Sequence, residues 1–140
     1  MGRPSTSPPT HSAGSTPVVL LVDDHADNRD LYAMFLRFEG FEAHTATDGR
    51  DAIEQARIVT PDCIVMDLSL PVMDGWTAIR RLRANEKTRA IPIIALTGHA
   101  LTGQERIARE SGCDRFLTKP CLPDELAAEI RRLLQGSVRR

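Results

Sequence analysis

The chain alternates short apolar runs with longer amphipathic ones. Residues 18–22, Val-Val-Leu-Leu-Val, run without a polar break into Asp23-Asp24. Residues 63–66, Cys-Ile-Val-Met, end likewise at Asp67, and residues 91–96 end at Thr97-Gly98-His99. Apolar runs of this length suit strands buried on both faces, with Pro92 tolerable only near the start of its strand. Two weaker strands are expected at 41–45 and 115–117, the second leading into Thr118-Lys119-Pro120. The stretches between them carry the helical period. Leu31, Met34, Phe35 and Phe38 fall at i, i+3, i+4 and i+7 and predict the inward face of a first helix. Asp27 is its candidate cap, and Gly40 suits the left-handed position past its end. A second helix from about 47 presents Ala52, Ile53, Ala56 and Val59 and stops before Pro61. A third, from about 75 to 84, turns Trp76, Ile79 and Leu82 inward. A short fourth, from about 101 to 110, closes on Gly112. The last opens at Pro123, buries Leu126, Ile130, Leu133 and Leu134, and is expected to end at Gly136.

Strand and helix therefore alternate five times over about 120 residues, with connections that permit only crossovers. That order predicts an α/β fold, a parallel sheet covered by helices on both faces. All strands then end at one edge, which collects Asp23, Asp24, Asp67, Thr97 and Lys119. Ligand and active sites of open parallel sheets lie at that edge.

Composition narrows the possibilities. A chain of 140 residues is expected to form one domain with its own core. Residues 1–16, rich in Ser, Thr and Pro, read as a disordered tail, 17–135 as the domain, and 136–140 as a short basic tail. A net charge of −1 gives no electrostatic footprint for nucleic acid or an anionic membrane. Cys63, Cys113 and Cys121 lack metal-ligand spacing and suit a reducing, cytoplasmic compartment, Cys63 as a core residue. No run reaches transmembrane length, and the first six residues match the myristoylation pattern only as the start of a polar tail. His11, His25, His44 and His99 share no ligand spacing and are assigned no metal.

Three carboxylates at one strand edge repel one another. At about 4 Å and an effective dielectric near 20, each pair costs on the order of 4 kcal/mol. Lys119 can offset part of this, and a hard divalent cation held by Asp67 with Asp23 or Asp24 can offset the rest. The oxygen donors favour Mg²⁺ over Zn²⁺. Such a site stabilises a transferring phosphoryl group, for which Asp67 is a competent nucleophile. Thr97 can donate its hydroxyl to the phosphoryl oxygens, and Lys119 can pair with them.

These residues together resemble the receiver domain of two-component response regulators, the CheY-like family, over about residues 17 to 135. Asp23-Asp24 matches its acidic pair, Asp67 its phosphoacceptor, Thr97 its switch hydroxyl, Lys119-Pro120 its Lys-Pro pair and Phe116 its switch aromatic. The loop Leu70-Pro71-Val72-Met73-Asp74-Gly75 resembles the loop after the phosphoacceptor. The resemblance implies a flavodoxin-like, doubly wound five-stranded sheet of order 2-1-3-4-5. It also implies Mg²⁺ held by Asp23, Asp24, Asp67 and the backbone carbonyl of Ser69, and a cis Lys119–Pro120 bond. Ser69 and His99 fall where the family tunes the lifetime of the phosphoryl group.

The expected function is a phosphoacceptor switch, charged by a histidine kinase or histidine phosphotransfer protein. It is no enzyme beyond self-phosphorylation and autodephosphorylation at Asp67. Phosphorylation is expected to reshape the surface made by the helix at 101–110, the fifth strand and the last helix, and so reach a downstream protein target. The short C-terminal remainder suggests a stand-alone receiver, or else a domain of a larger chain, monomeric or weakly dimeric when phosphorylated, without direct contact to nucleic acid or membrane. Three other classes are weighed. A flavin carrier needs hydroxyls and glycines where Asp23-Asp24 stand. A haloacid-dehalogenase-type phosphatase needs, by resemblance, an acid where Ser69 stands. A degenerate receiver acting as an interaction scaffold is disfavoured because every expected residue type is present.

Overall fold

The computed structural model describes residues 16–68, 75–98 and 110–138. Five strands, β1 (Val18–Val22), β2 (Glu42–Ala46), β3 (Cys63–Asp67), β4 (Ile93–Thr97) and β5 (Arg115–Thr118), form one parallel sheet. Its order is β2-β1-β3-β4-β5, as the resemblance implied. The helices described are α1 (Ala26–Phe38), α2 (Gly49–Val59), α3 (Gly75–Ala84) and α4 (Pro123–Val138). Residues 1–15 of the expected tail, residues 69–74 and most of the helix expected at 101–110 lie outside the described residues.

The unbroken apolar strands work because successive side chains feed opposite faces. Val19 and Leu21 of β1, Cys63 and Val65 of β3, and Ile94 and Leu96 of β4 pack under α1 and α4. Leu20, Val22, Ile64, Met66, Ile93 and Ala95 pack under α2 and α3. Cys63 is a core residue, and none of the three cysteines forms a disulfide. No helix among the described residues is long and apolar enough to cross a membrane.

Several expected details are corrected. The inward face of α1 carries Tyr32, Ala33 and Leu36, with Phe35 at its margin, whereas Leu31, Met34 and Phe38 are exposed. Residues 31–38 are apolar nearly all round, so the period alone admits more than one stripe. Asp27 is not the cap of α1. The helix begins at Ala26 with His25 at the cap position, because the Asp23 carboxylate accepts the His25 N–H at 2.9 Å and fixes the turn there. Asp48 caps α2 by accepting from the Asp51 N–H, so that helix starts two residues later than expected. Strand β4 begins at Ile93, past Pro92, which has no N–H for the ladder. Finally, α4 passes through Gly136 to Val138, because a glycine within a helix weakens it by only about 1 kcal/mol. Gly40 is left-handed, as expected, and Gly112 takes a positive φ as well.

Candidate active site

Each site residue owes its position to a strand end. The register sets Val22 opposite Met66 and Asp67 opposite Leu96, so Asp23, Asp67 and Thr97 emerge at one edge of neighbouring strands. Asp23 is held by its own backbone, whose N–H donates to the Ala46 carbonyl at 3.1 Å, and by Arg29, whose guanidinium donates to the Asp23 carbonyl at 2.8 Å. Lys119 follows β5, and its N–H donates to the Thr97 carbonyl at 2.7 Å. The Lys119–Pro120 bond is cis, as implied. Gly75, at the start of α3, backs the site from below: a Cβ there would lie 2.8 Å from the Asp67 carbonyl oxygen and 2.7 Å from Leu68 Cα.

The acids converge. Asp23, Asp24, His25 and Asp67 each offer a ligand atom, all within 4.8 Å of one another. Asp23 and Asp67 are each only 1% exposed. Lys119 Nζ stands 3.3 Å from Asp67 Oδ2 and 4.0 Å from Asp23 Oδ2. Burial pushes the Asp23 carboxyl above its ordinary value. The His25 N–H and the Lys119 charge oppose that rise, and the Asp67 charge adds to it. Two carboxylate oxygens, Asp23 Oδ2 and Asp24 Oδ1, are buried with no hydrogen-bond partner. Buried ionised oxygens left in this state cost free energy, and a hard cation is the group that satisfies several at once. The donor set therefore fits Mg²⁺.

The structure brings Asp23, Asp24, Asp67, Thr97 and Lys119 to one edge. Thr97 is 5% exposed. Phe116 is half-buried against the core under α2 and α3. Ser69 and His99 lie outside the described residues. Sequence reading missed three neighbours. His25 approaches Asp24 Oδ1 at 3.2 Å, which its place next to that acid could have signalled. Arg29 follows Asp23 by six residues and reaches back to its carbonyl from the first turns of α1. Tyr32 donates to the Cys121 carbonyl at 2.6 Å from 89 residues away, and no local pattern could have revealed it.

Comparison with known proteins agrees with this geometry. The family model for the response regulator receiver domain matches residues 19–131. The chain is 36% identical over 121 residues to the transcriptional regulatory protein PrrA of Mycobacterium leprae, covering 86% of this chain and 51% of PrrA. It thus spans about half the length of the curated relatives it matches. Among solved structures, the receiver domain of sensor histidine kinase PA1611 from Pseudomonas aeruginosa is 36% identical. Its TM-score is 0.79, over 86% of this chain and 98% of that one, and it carries a magnesium ion coordinated in its active-site cleft. The CheY-like receiver domain protein of Methanospirillum hungatei shares the fold at a TM-score of 0.83 and 23% identity, over 89% and 98% of the two chains. The chain belongs to the receiver-domain family of two-component response regulators.

Proposed function

We propose that this receiver takes a phosphoryl group on Asp67 and signals by the shape change that follows. The observation that carries the reading is the pairing of a buried Asp67 with Lys119 at 3.3 Å, beside two buried carboxylate oxygens that accept no hydrogen bond. In the transfer, an Asp67 oxygen forms a bond to phosphorus as the bond from phosphorus to the donor's imidazole nitrogen breaks. That nitrogen keeps the electron pair. Lys119 neutralises charge on the phosphoryl oxygens, and Thr97 donates its hydroxyl to them. Asp23, Asp24, Asp67 and the Ser69 carbonyl would hold Mg²⁺, which when bound offsets the charge of the incoming phosphoryl group.

The donor is a histidine kinase or a histidine phosphotransfer protein. Leu31, Met34 and Phe38 expose an apolar stripe on α1, the helix that starts next to Asp24, and Leu122 is exposed just past Pro120. A donor that brings a phosphohistidine to Asp67 must rest on this rim, and apolar contact is what the rim offers. Added phosphoryl charge, about −1.5 to −2, draws Thr97 toward it, and Phe116 then packs deeper behind the vacated hydroxyl. The reshaped face of β5, α4 and residues 101–110 meets a downstream protein. Ser69 and His99 remain the residues expected to set the phosphoryl lifetime. The net charge of −1 supports no contact of this domain itself with nucleic acid. The free thiols fit a cytoplasmic setting.

The test is chemical. With Mg²⁺ and acetyl phosphate the protein should gain one acid-stable, hydroxylamine-labile phosphoryl group, and Asp67→Asn should gain none while keeping its circular dichroism. Labelling of Asp67→Asn at the wild-type rate would overturn the assignment. An unlabelled wild type would leave the phosphorylation-independent scaffold.

A further inference from the structure

The Lys119 ammonium must be aimed, and its side chain cannot aim itself. A four-carbon stem with freely rotating bonds takes its direction from the backbone that carries it. That backbone is tethered twice. Upstream, the Lys119 N–H is bonded to Thr97 in β4 at 2.7 Å. Downstream, the Cys121 carbonyl accepts the Tyr32 hydroxyl at 2.6 Å, in a buried contact that crosses from α1. Between the two, Pro120 has no N–H to offer. Tyr32 is itself fixed: it is 8% exposed, within the apolar cluster that also holds Cys121, Leu126 and Ile130.

We propose that Tyr32 is a positioning residue for phosphoryl transfer: its hydroxyl pins the turn after Lys119 so that the ammonium faces Asp67. This rests on the phosphoacceptor reading of Asp67. The phenol is suited to the task, since burial pushes its pKa up to about 12 and it stays a donor across the working range of pH. It also accounts for an apolar helix face that carries a hydroxyl at its centre. An unpinned turn leaves Lys119 to share its time between Asp67 and solvent, and small misplacements of a charge-stabilising group are felt directly in rate.

The experiment uses the full chain and two readouts. Phosphorylation by acetyl phosphate is timed at saturating Mg²⁺, with Mg²⁺ affinity followed through Trp76 fluorescence. Tyr32→Phe, which removes one oxygen and keeps the ring, should slow labelling by about threefold to tenfold, the range of one lost hydrogen bond. Its Mg²⁺ affinity should stay within about twofold, because the hydroxyl touches no metal ligand. In a Lys119→Met background the same substitution should change the rate by less than about 1.5-fold. The second readout needs no phosphorylation. Lys87 and Lys119 are the lysines of the chain, so their ¹³C-dimethylated signals are readily told apart. Asp67→Asn should move the Lys119 signal, and by less than half as much when Tyr32 is Phe. An equal rate loss with and without Lys119, or an undiminished Lys119 response, overturns the proposal. An Asp67→Asn change that leaves Lys119 unmoved in the otherwise native chain does so too. If the wild type takes no phosphoryl group, the phosphoacceptor reading fails, and the lysine signals still decide the role of Tyr32.

Discussion

Arg83 and Asp114 form the clasp at the far edge of the sheet, with Nη2 2.8 Å from Oδ2. The same Asp114 oxygen accepts the Ile93 N–H at 2.8 Å, where β4 begins. Arg83 also donates to the carbonyls of Gly112, Arg89 and Ile91, at 2.8, 2.8 and 2.6 Å. One guanidinium thus joins the end of α3, the turn into β4 and the approach to β5. Gly112 makes room for it: a Cβ there would lie 2.8 Å from Arg83 Cγ, at a φ of +112° that already favours glycine.

Removing this clasp should weaken the fold without touching the chemistry. Arg83→Met takes this donor from three carbonyls and leaves a mostly buried carboxylate without its ion-pair partner. We expect a loss of roughly 2–4 kcal/mol in urea unfolding. Labelling by acetyl phosphate should be unchanged, since the clasp lies at the opposite edge from Asp67. A loss below about 0.5 kcal/mol, the size of a surface change, would mean that water replaces the guanidinium.

Asp23 should trade stability for metal. Its carboxylate is buried, has one orphaned oxygen and stands beside Asp67. Asp23→Asn should therefore stabilise the metal-free protein by about 1 kcal/mol, less whatever the Lys119 contact contributes. Mg²⁺ should raise the melting temperature of the wild type and not of the variant. Equal Mg²⁺ responses in the two proteins would exclude Asp23 as a ligand.

Glu129 should give stability an acid limit. Hydrogen bonding from Arg132 holds its carboxyl below the ordinary value of 4.5, burial opposes that, and the Arg132 charge and Arg115 add to the lowering. A depressed folded pKa means that the unfolded chain binds the proton more tightly. The contribution is thus complete above pH 4.5 and is lost as pH falls through the folded value. Both arginines are substantially exposed, at 63% and 44%, so the contribution should be only about 0.5–1 kcal/mol. The stability gap between wild type and Glu129→Gln should be flat from pH 5.5 to 7 and shrink below about 4.5. A gap that grows on acidification would reverse the assignment.

The stripe on α1 should matter to a protein donor and not to a small one. Met34 is 62% exposed and Leu31 50%, so Met34→Asp and Leu31→Asp remove apolar contact without opening the core. Transfer from a phosphorylated histidine phosphotransfer protein should slow by at least about tenfold, as for loss of one interface anchor. Labelling by acetyl phosphate should hold its rate. Equal effects on both donors would place the change in the site itself.

Much of this protein is legible along the chain because its three central strands, β1, β3 and β4, are buried on both faces. An apolar run such as 63–66 ending in a lone acid has few other places to go, and the residue types at the strand ends could be matched to a family position by position. Local backbone chemistry was legible too: Gly40 adopts the left-handed conformation that the end of α1 requires. The convergence of Asp23, Asp24 and Asp67 was legible too, because it follows once the strands are parallel.

Contacts between distant parts were not legible. Residues 31–38 are apolar on most sides, so their period fits Leu31, Met34 and Phe38 as well as it fits Tyr32, Ala33 and Leu36. Tertiary packing chose the second set, since turning Tyr32 inward gives its hydroxyl the Cys121 carbonyl 89 residues on and leaves the other stripe outside. Sequence by itself determined that α1 is a helix with apolar surface to spare. Only the folded molecule decided which of that surface is core and which is exposed, because a helix has no inside until a sheet is laid against it.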